Sequence, residues 1–374
     1  MAATIDKIDY TPPPTIGKFL RWHLPGELFY AWVCGPVGCL PADSEYLTPT
    51  GWKRMDAYTP GDEVGVYDPG TGAVNFEQAQ YVNLPSPEPF HVFDSGSLVM
   101  DLSPEHRVLY EDYRGRTQTC TADHMARRPS VRRIPTTFRL RRDPVAMSDA
   151  EIRWRVAFSA DGHIPKAGQQ VTVTVRKERK KQRLRELMDA MNLDWKEKTC
   201  PSRPTETVFS VYWAEPTKSL DFVWGLSSAQ LAVVVDECVR WDGLADHAEK
   251  RFYTTVKGHA DAVQFAAHAS GLRATIRATD DPRDETWKTM YTVSIRASAE
   301  SRKNTALVRS STRISQRLAP DGRKYCFSTS TGFFVARCNG TVFVTGNSSK
   351  TTSLFFKLAY MAKMQEPGRD GIRR

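Results

Sequence analysis

The sequence predicts a multi-domain protein in which an all-β domain is split by an α+β insert, with short α/β segments at both ends. Short apolar runs separated by Pro-Gly and Asp-Gly turns fill residues 39–145, and the same texture returns at 303–347. Helical and strand-like patterns alternate between them, at 146–302. The outer segments, 1–38 and 348–374, pair a strand-like run with a helix-like one. Five consecutive parts are therefore expected.

The composition favours a globular cytoplasmic protein. The chain has 374 residues, 40% of them hydrophobic, which is enough for two or three domains with real cores. It contains no apolar run near the length of a membrane span and no charged-then-apolar leader, so no membrane partner is expected. Its seven cysteines form no C-x-x-C pair, which argues against a disulfide framework and against a zinc site.

The positive charge is uneven along the chain. The net charge is +9, and basic residues concentrate at 127–143 and 176–185. Such runs are typical of solvated faces and also of nucleic-acid interfaces, and both interpretations remain open at this point.

Two short stretches, GPVGC at 35–39 and TGNSSKTT at 345–352, contain the two halves of a phosphate-binding loop. A P-loop reads G-x-x-x-x-G-K-[ST] because consecutive backbone N–H groups must wrap one phosphate within a single tight turn, so no long insertion can lie inside it. Joining Gly38 to Ser348 gives GPVGSSKTT, in which only the last glycine is replaced. The expected phosphate-binding residues are Gly35, Gly38, Ser349, Lys350 and Thr351. The sequence therefore predicts that residues 39–347 are removed from the chain.

The insert carries a weak internal repeat. One predicted helix ends in FSADG at 158–162 and another ends in RWDG at 240–243, and strand and helix patterns follow each in the same order. Two α+β units with matching acidic helix ends predict a pseudo-twofold domain.

Three motifs in the expected order resemble the inteins, which are self-splicing Hint domains. They are CLPADSEYLTPTGWKRMDAYTPGDEV at 39–64, SPEH at 103–106, and NGTVFVTGN at 339–347 followed by Ser348. The paired acidic helix ends of the insert resemble the LAGLIDADG homing endonucleases. The resemblance implies an all-β Hint domain in two parts, 39–145 and 303–347, around an endonuclease at 146–302, with extein fragments at 1–38 and 348–374.

The splicing chemistry explains the residue types at the two ends of the segment. Excision needs a nucleophile at the first residue, and the thiol of Cys39 can convert the Gly38 amide to a thioester. His106 is the candidate that protonates the departing nitrogen, and Ser103 is expected to position it. Ser348 then takes the acyl group, and cyclisation of Asn347 cuts the downstream bond. These steps are intramolecular, so no cofactor is expected for splicing.

Two departures from the family pattern bear on the mechanism. Gly346 and Gly332 stand where the resemblance implies histidines, so cyclisation of Asn347 is expected to be slow or to be assisted in another way. Cys326 stands where many relatives carry an aspartate. A subclass of inteins uses a cysteine there together with a threonine placed as Thr345 is here, but this chain has Val108 in place of that subclass's tryptophan. The Cys39 route is favoured, and Cys326 is either an assisting thiol or a buried structural one.

The resemblance also implies the endonuclease residues. Asp161 and Asp242 would meet at the ends of two adjacent helices and hold Mg²⁺ for phosphodiester cleavage, while basic strands would bind double-stranded DNA. Lys257 is a further candidate near the cut site. Where the family motif has helix-packing glycines, this chain has Val156 and Glu237, so looser helix packing is expected.

The joined flanks resemble the start of a phage terminase large subunit, an ATPase that packages DNA. The resemblance implies a phage-encoded protein in the bacterial cytoplasm, an assembly on the phage portal, and ATP binding only by the ligated host protein. Two alternatives stay open. The chain could be a DNA-binding nuclease with a structural, non-splicing β domain, or a P-loop ATPase with an ordinary inserted domain.

Overall fold

A computed structural model describes residues 38–346 except 129, 166–169, 201, 246–248, 281–285, 287 and 297–304. Two compact units are distinguished along the chain, and the second, Gly38–Asn347, contains everything described here. The strand predicted within 29–34 and the helix predicted after residue 348 lie outside the described residues. So do six residues with predicted roles: Gly35, Asn347, Ser348, Ser349, Lys350 and Thr351.

The described elements are mainly β-strands, and the longer helices lie in the middle of the unit. Its first β part contains β1 Glu45–Thr48, β2 Gly51–Arg54, β3 Glu63–Asp68, β4 Ala73–Gln78, β5 Gln80–Pro85, β6 Phe90–Asp94, β7 Val99–Leu102, β8 Arg107–Glu111, β9 Thr117–Thr121, helix α1 Ala122–Arg127, β10 Arg132–Pro135 and β11 Arg139–Leu140. The insert contains α2 Asp149–Asp161, β12 Gly162–His163, β13 Gln170–Val175, α3 Glu178–Ala190, β14 Trp195–Cys200, β15 Arg203–Tyr212, α4 Ser228–Asp242, β16 Gly243–Ala245, β17 Glu249–Thr254, α5 Lys257–Ala269, β18 Arg273–Thr279 and β19 Met290–Arg296. The second β part contains β20 Thr305–Val308, β21 Arg313–Arg317, β22 Arg323–Ser328, β23 Phe333–Cys338 and β24 Thr341–Gly346.

The hairpin of β23 and β24 forms the centre of the β domain. Every side chain of both strands is buried, as expected for strands covered on both faces. A two-residue turn joins them, and its residues, Asn339 and Gly340, both have positive φ, which is the geometry that matches the twist of a hairpin. β3 and β1 pair with β23, and β8 pairs with the end of β24 at Gly346. The two parts of the β domain are thus interleaved.

The insert repeats one order of elements twice, as predicted. Each half runs helix, two strands, helix, two strands, beginning with α2 and then with α4. Both leading helices begin at a serine N-cap, Ser148 and Ser227, whose hydroxyl accepts a backbone hydrogen bond. α2 packs against α4, so the two halves meet along the helices that end in Asp161 and Asp242.

Glu237, which stands where the family motif has a glycine, belongs to a buried ion network. Glu237 is fully buried, and its carboxylate accepts hydrogen bonds from Arg153 at 2.8 Å and from Arg183 at 2.6 Å. Trp241 Nε1 donates to the same carboxylate at 2.9 Å. The space that a glycine would leave between the helices is therefore filled by paired charge, while Val156 is buried in the apolar part of the same contact.

The insert and the β domain share one hydrophobic cluster. Trp154 and Phe265 of the insert belong to the same cluster as Leu47 and Val344 of the β domain. β18 also pairs with β24, through Thr275 and Thr341. Across the described part of the chain, no helix has the length and apolar character needed to cross a membrane.

Candidate functional site

The described start of the unit is fixed by backbone hydrogen bonds on both sides of Cys39. Leu40 and Tyr325 exchange two such bonds, at 2.7 and 2.8 Å, and so attach the chain to β22. The carbonyl of Cys39 accepts from the N–H of Ser103 at 3.1 Å. The N–H of Cys39 donates to the hydroxyl of Ser103 at 2.9 Å. The amide that joins Gly38 to Cys39 is therefore held at a defined place, and Cys39 is completely buried.

Gly38 packs directly on the turn that carries the predicted catalytic histidine. A Cβ added at Gly38 would lie 2.4 Å from Cα of His106 and 3.1 Å from the carbonyl oxygen of Glu105. Neither neighbour can move without moving the backbone. The position therefore requires glycine, and the carbonyl of Gly38 lies beside His106.

His106 connects the two ends of the described unit. Its Nε2 is hydrogen-bonded to Oγ1 of Thr345, one residue before the end of β24. Its Nδ1 is buried and has no hydrogen-bond partner among the described residues. Burial lowers the pKa of His106 to about 3, the nearby backbone groups of Gly38 and Cys39 act in the opposite direction, and the positive charge of Arg107 lowers it further. The imidazole is therefore neutral at pH 7.

The thiol of Cys326 lies beside that of Cys39. Burial raises the pKa of Cys326 well above its usual value, and a hydrogen bond with Cys39 raises it further, whereas Arg107 lowers it. Both thiols are free and fully buried. An acyl group on one of these sulfurs would thus have the other within reach.

Arg107 occupies the space next to the two glycines that replace the implied histidines. A Cβ at Gly332, where φ is +74°, would lie 2.6 Å from Nη2 of Arg107. The same nitrogen donates to the carbonyl of Gly332 at 3.2 Å, and the guanidinium lies 4.1 Å from the ring centroid of Phe333. Arg107 was not predicted from the sequence, because the order of residues does not show which side chain fills the space beside a glycine.

Five predicted residues meet at this site: Cys39, Ser103, His106, Cys326 and Thr345. The expected role of Ser103 differs from the one observed. Its hydroxyl contacts the amide of Cys39 and not the imidazole, and only its backbone carbonyl fixes His106, by accepting from the N–H of His106 at 2.9 Å.

A second site lies where α2 and α4 end. Nζ of Lys180 contacts a carboxylate oxygen of Asp161 at 2.6 Å and one of Asp242 at 3.3 Å. The two aspartates therefore share one cation, the ammonium group of Lys180, where the resemblance implied Mg²⁺. Lys180 belongs to the basic run at 176–185, which sequence reasoning assigned only to a solvated or nucleic-acid-binding face.

Lys257 forms an ion pair with another carboxylate. It is the first residue of α5, and its Nζ pairs with Asp261 at 2.7 Å. Asp242 lines a cavity of about 710 Å³ together with Lys218 and His259. Lys180 is thus the lysine that forms ion pairs with both aspartates, and Lys218 lies at the same cavity as Asp242.

The outer faces of both insert sheets are basic. The register places Lys196 and Lys198 opposite Ser210 and Val208, on the face away from the buried Phe209 and Val211. In the second half, the exposed Arg251 lies next to the buried Phe252 in β17, and the exposed Arg277 of β18 lies opposite Thr292 of β19. The predicted basic strands are therefore present on an open surface.

The residues present fit a divalent metal ion such as Mg²⁺. Mg²⁺ is commonly bound by one or two carboxylates, with phosphates and water completing the shell. Asp161 and Asp242 already share the positive charge of Lys180, so the negative charge that a metal ion needs is present at this place. Within the described part of the chain, no group of three or more acidic, histidine or cysteine side chains is arranged to hold a metal ion.

No protein-family model and no curated protein sequence matches this chain. Among solved structures, a splice-inactive variant of the AceL NrdHF class 3 split intein is similar with 11% identity and a TM-score of 0.30, over 83% of this chain and 98% of that one. I-DmoI in complex with DNA and Mn is similar with 16% identity and a TM-score of 0.28, over 40% of this chain and 90% of that one. I-DmoI in complex with DNA and Ca has the same identity and TM-score, over 41% and 86%. The structural neighbours thus include a split intein and a homing endonuclease, at a level of similarity that leaves the chemistry to this chain's own residues.

Proposed function

We propose that this chain is a self-splicing protein that excises residues 39–347 and joins Gly38 to Ser348. One observation carries the proposal. The start of β8 contacts both ends of the described segment, because Gly38 packs on His106 and Gly346 pairs with Arg107. Splicing requires the two borders of the excised segment to be close, and a fold that holds them side by side supplies most of the required proximity.

The first step is attack of the Cys39 sulfur on the carbonyl carbon of Gly38. The C–N bond breaks, the S–C bond of a thioester forms, and the proton of the thiol ends on the nitrogen of Cys39. A neutral imidazole can accept that proton and pass it on, and His106 is neutral and lies beside the backbone of Gly38 and Cys39. The hydroxyl of Ser103 holds the amide in place during the transfer.

The acyl group then moves to the hydroxyl of Ser348, directly or through Cys326. The contact between the two thiols favours Cys326 as an intermediate acceptor, since a thioester exchanges readily with a neighbouring thiol. Asn347 completes the release when its side-chain nitrogen attacks its own backbone carbonyl. The ester between Gly38 and Ser348 then rearranges to a peptide bond.

Mass spectrometry of the expressed chain tests the proposal. We expect two products, one spanning 39–347 and one joining 1–38 to 348–374. Cys39→Ala should abolish the ligated product, and Cys238→Ala, which removes a cysteine from α4 of the insert, should leave it unchanged. A wild-type chain that keeps its full mass after prolonged incubation would contradict the proposal and would favour a structural β domain.

We further propose that the insert is a double-strand DNA endonuclease. The convergence of Asp161 and Asp242 beneath two basic sheets supports this assignment. The two carboxylates would hold Mg²⁺, which supplies Lewis-acid activation of a phosphodiester. Lys180 would stabilise the negative charge of the backbone phosphate, and exposed Lys196, Lys198 and Arg277 would neutralise phosphates along the duplex.

Cleavage of a DNA library tests the endonuclease assignment independently of splicing. In the Asn347→Ala protein, which retains the insert in the chain, we expect Mg²⁺-dependent cuts at a defined sequence. Asp161→Asn and Asp242→Asn should each abolish cutting without changing DNA binding. If the protein binds DNA but does not cut it in Mg²⁺, the insert is a DNA-binding module and not a nuclease.

The host assignment is a separate proposal that depends on residues outside the described part of the chain. Ligation would complete the loop GPVGSSKTT, and the ligated protein would belong to a terminase ATPase. Nucleotide binding by the ligated product and not by the Cys39→Ala chain would support it. Equal binding by both would favour an ATPase with an ordinary inserted domain.

A further inference from the structure

Cys39 and Cys326 lie opposite each other on two adjacent backbone segments. Leu40 and Tyr325 exchange two backbone hydrogen bonds, at 2.7 and 2.8 Å, and so form an antiparallel bridge. Cys39 precedes Leu40 and Cys326 follows Tyr325, so the two cysteines are the next pair in the same antiparallel register. Because the bridge is a hydrogen-bonded pair, the cysteines occupy the non-hydrogen-bonded pair beside it.

The backbone groups of both cysteines have partners elsewhere, as this kind of pair requires. The N–H and the carbonyl of Cys39 are hydrogen-bonded to the hydroxyl and to the N–H of Ser103. Cys326 is paired with Val82 of β5, on the side of β22 away from Leu40. The register that places the two thiols opposite each other is therefore fixed from both sides.

This pair has the geometry that a disulfide needs. The Cα atoms of a non-hydrogen-bonded antiparallel pair are about 4.5 Å apart, and disulfides join cysteines whose Cα atoms are about 4.4–6.8 Å apart. Directly opposed side chains also project from the same face of the two strands. Burial raises the pKa of Cys326, and a hydrogen bond with the thiol of Cys39 raises it further, so the two sulfurs face each other. A bond between them requires no shift of the backbone.

The surroundings would preserve such a bond once it has formed. Both cysteines are free in this structure and both are fully buried. A disulfide is reduced by attack of a thiolate on one of its sulfurs, so a buried bond is reached slowly by bulky thiols. The oxidised pair would therefore persist until a sufficiently strong or small reductant reaches it.

We propose that Cys39 and Cys326 form a reversible disulfide that keeps the chain unspliced until it is reduced, a regulation of the splicing site that rests on the proposed function. The oxidant is a low-molecular-weight disulfide such as glutathione disulfide. The sulfur of Cys39 attacks it and displaces one glutathione, and the sulfur of Cys326 then attacks the Cys39 sulfur and displaces the second. Two protein thiols are oxidised, and one glutathione disulfide is reduced to two thiols that take up the two protons.

The consequence for splicing follows from the loss of the nucleophile. Only a free Cys39 thiol or thiolate can attack the carbonyl of Gly38, because a disulfide sulfur has no electron pair and proton to exchange in an acyl shift. Cys326, the proposed intermediate acceptor, is blocked by the same bond. Reduction restores both thiols at once.

Peptide mapping of the Asn347→Ala chain tests for the bond directly. The chain is incubated with glutathione disulfide, its free thiols are alkylated, and the digest is analysed by mass spectrometry. We expect one cross-linked pair of peptides that contains Cys39 and Cys326, and its loss after treatment with a phosphine reductant. A cross-link from Cys39 to another cysteine, or a Cys39 that remains fully alkylated, would overturn the inference.

Hydroxylamine cleaves thioesters without reducing disulfides, so release of residues 1–38 measures the reactivity of Cys39 in the same samples. Oxidation should slow this release about 10-fold or more, because only chains with a free Cys39 thiol react, and the phosphine should restore it. The Cys326→Ser chain should release 1–38 at the same rate before and after oxidation. Cys238→Ala, in α4, and Cys34→Ala should keep the sensitivity of the parent chain.

The variants separate this disulfide from other oxidation products. A Cys326→Ser chain that is still blocked by the oxidant, or a Cys34→Ala chain that is no longer blocked, would overturn the inference. Equal release from the oxidised and reduced parent chains would overturn it as well, while leaving the splicing chemistry intact. If hydroxylamine releases nothing from the reduced chain and the wild type does not splice, the proposed function fails and the inference fails with it.

Discussion

The backbone N–H of Cys39 donates a hydrogen bond to the hydroxyl of Ser103 at 2.9 Å. This hydroxyl accepts a hydrogen bond from the amide nitrogen of the bond that is proposed to break. It can therefore orient that nitrogen and its proton while the acyl group moves to sulfur. The two residues are far apart in sequence, and the turn before β8 brings them together.

Ser103→Ala should slow formation of the thioester about 10- to 100-fold, because one positioned hydrogen bond at the reacting amide is lost. Thiol-induced cleavage between Gly38 and Cys39 in the Asn347→Ala chain measures this step. Ser103→Thr keeps the hydroxyl and should recover most of the rate. Ser330→Ala, in an exposed turn, is the matched control. An alanine variant as fast as the threonine variant would contradict the role of the hydroxyl.

The stability of the fold should fall as the pH drops below about 6.5. Burial lowers the pKa of His106 to about 3 and that of His268 to about 4. Between these values and the unfolded value of 6.5, the unfolded chain binds protons that the folded chain does not, so acid favours unfolding. Each such proton changes stability by about 1.4 kcal/mol per pH unit.

Thermal unfolding between pH 4 and pH 7 measures this effect. His106→Gln should flatten the decline by removing one of the protons that only the unfolded chain binds, and His124→Gln, at an exposed position in α1, should not. A decline that is equally steep in the His106→Gln protein would show that His106 titrates normally in the folded state.

Lys180 should compete with divalent metal ions for the two aspartates. Lys180→Met removes the cation shared by Asp161 and Asp242, and the repulsion between the remaining carboxylates should raise the affinity for Mn²⁺ in the absence of DNA. Titration calorimetry measures this affinity. Lys196→Met, in the exposed strand β14, is the control. Weaker binding by the Lys180→Met protein would show that the lysine organises the carboxylates for the metal.

Glu237→Ala should destabilise the protein by about 3–5 kcal/mol, because it leaves Arg153 and Arg183 without their buried partner. Chemical denaturation measures the change in free energy of unfolding. Glu186→Ala removes a more exposed partner of Arg183 and should cost about 1 kcal/mol or less. Equal costs for the two variants would mean that the buried network contributes nothing beyond surface pairing.

Apolar periodicity marks the helices of the insert and its strands β13, β15, β17 and β19. β14 and β18 read WKEKTC and RATIRAT and carry too few apolar residues to show a period. They are strands because β15 and β19 pair with them. Their formation depends on tertiary contacts.

The candidate site was predictable in residue types but not in partners. Cys39, Ser103, His106, Cys326 and Thr345 do meet, and motif order and the broken loop were enough to select them. The hydrogen bond from Cys39 to Ser103, the position of Arg107 and the meeting of Lys180 with two aspartates arise from strand register and helix packing. A single sequence shows which groups are present, whereas the fold decides which of them touch.

The pairing of β18 with β24 connects the insert to the central hairpin of the β domain. Ile276 N–H donates to the carbonyl of Gly340 at 2.9 Å, and Gln264 of α5 donates to the same oxygen at 2.7 Å. Arg337, almost fully buried, is neutralised from one side by Glu45 and from the other by Asp261 of the insert. Deleting residues 146–302 would remove Asp261, one of the two counter-ions of Arg337. It would also expose the β23–β24 hairpin, which leads to the downstream border of the segment 39–347. Loss of the insert would therefore require compensating changes in the hairpin itself.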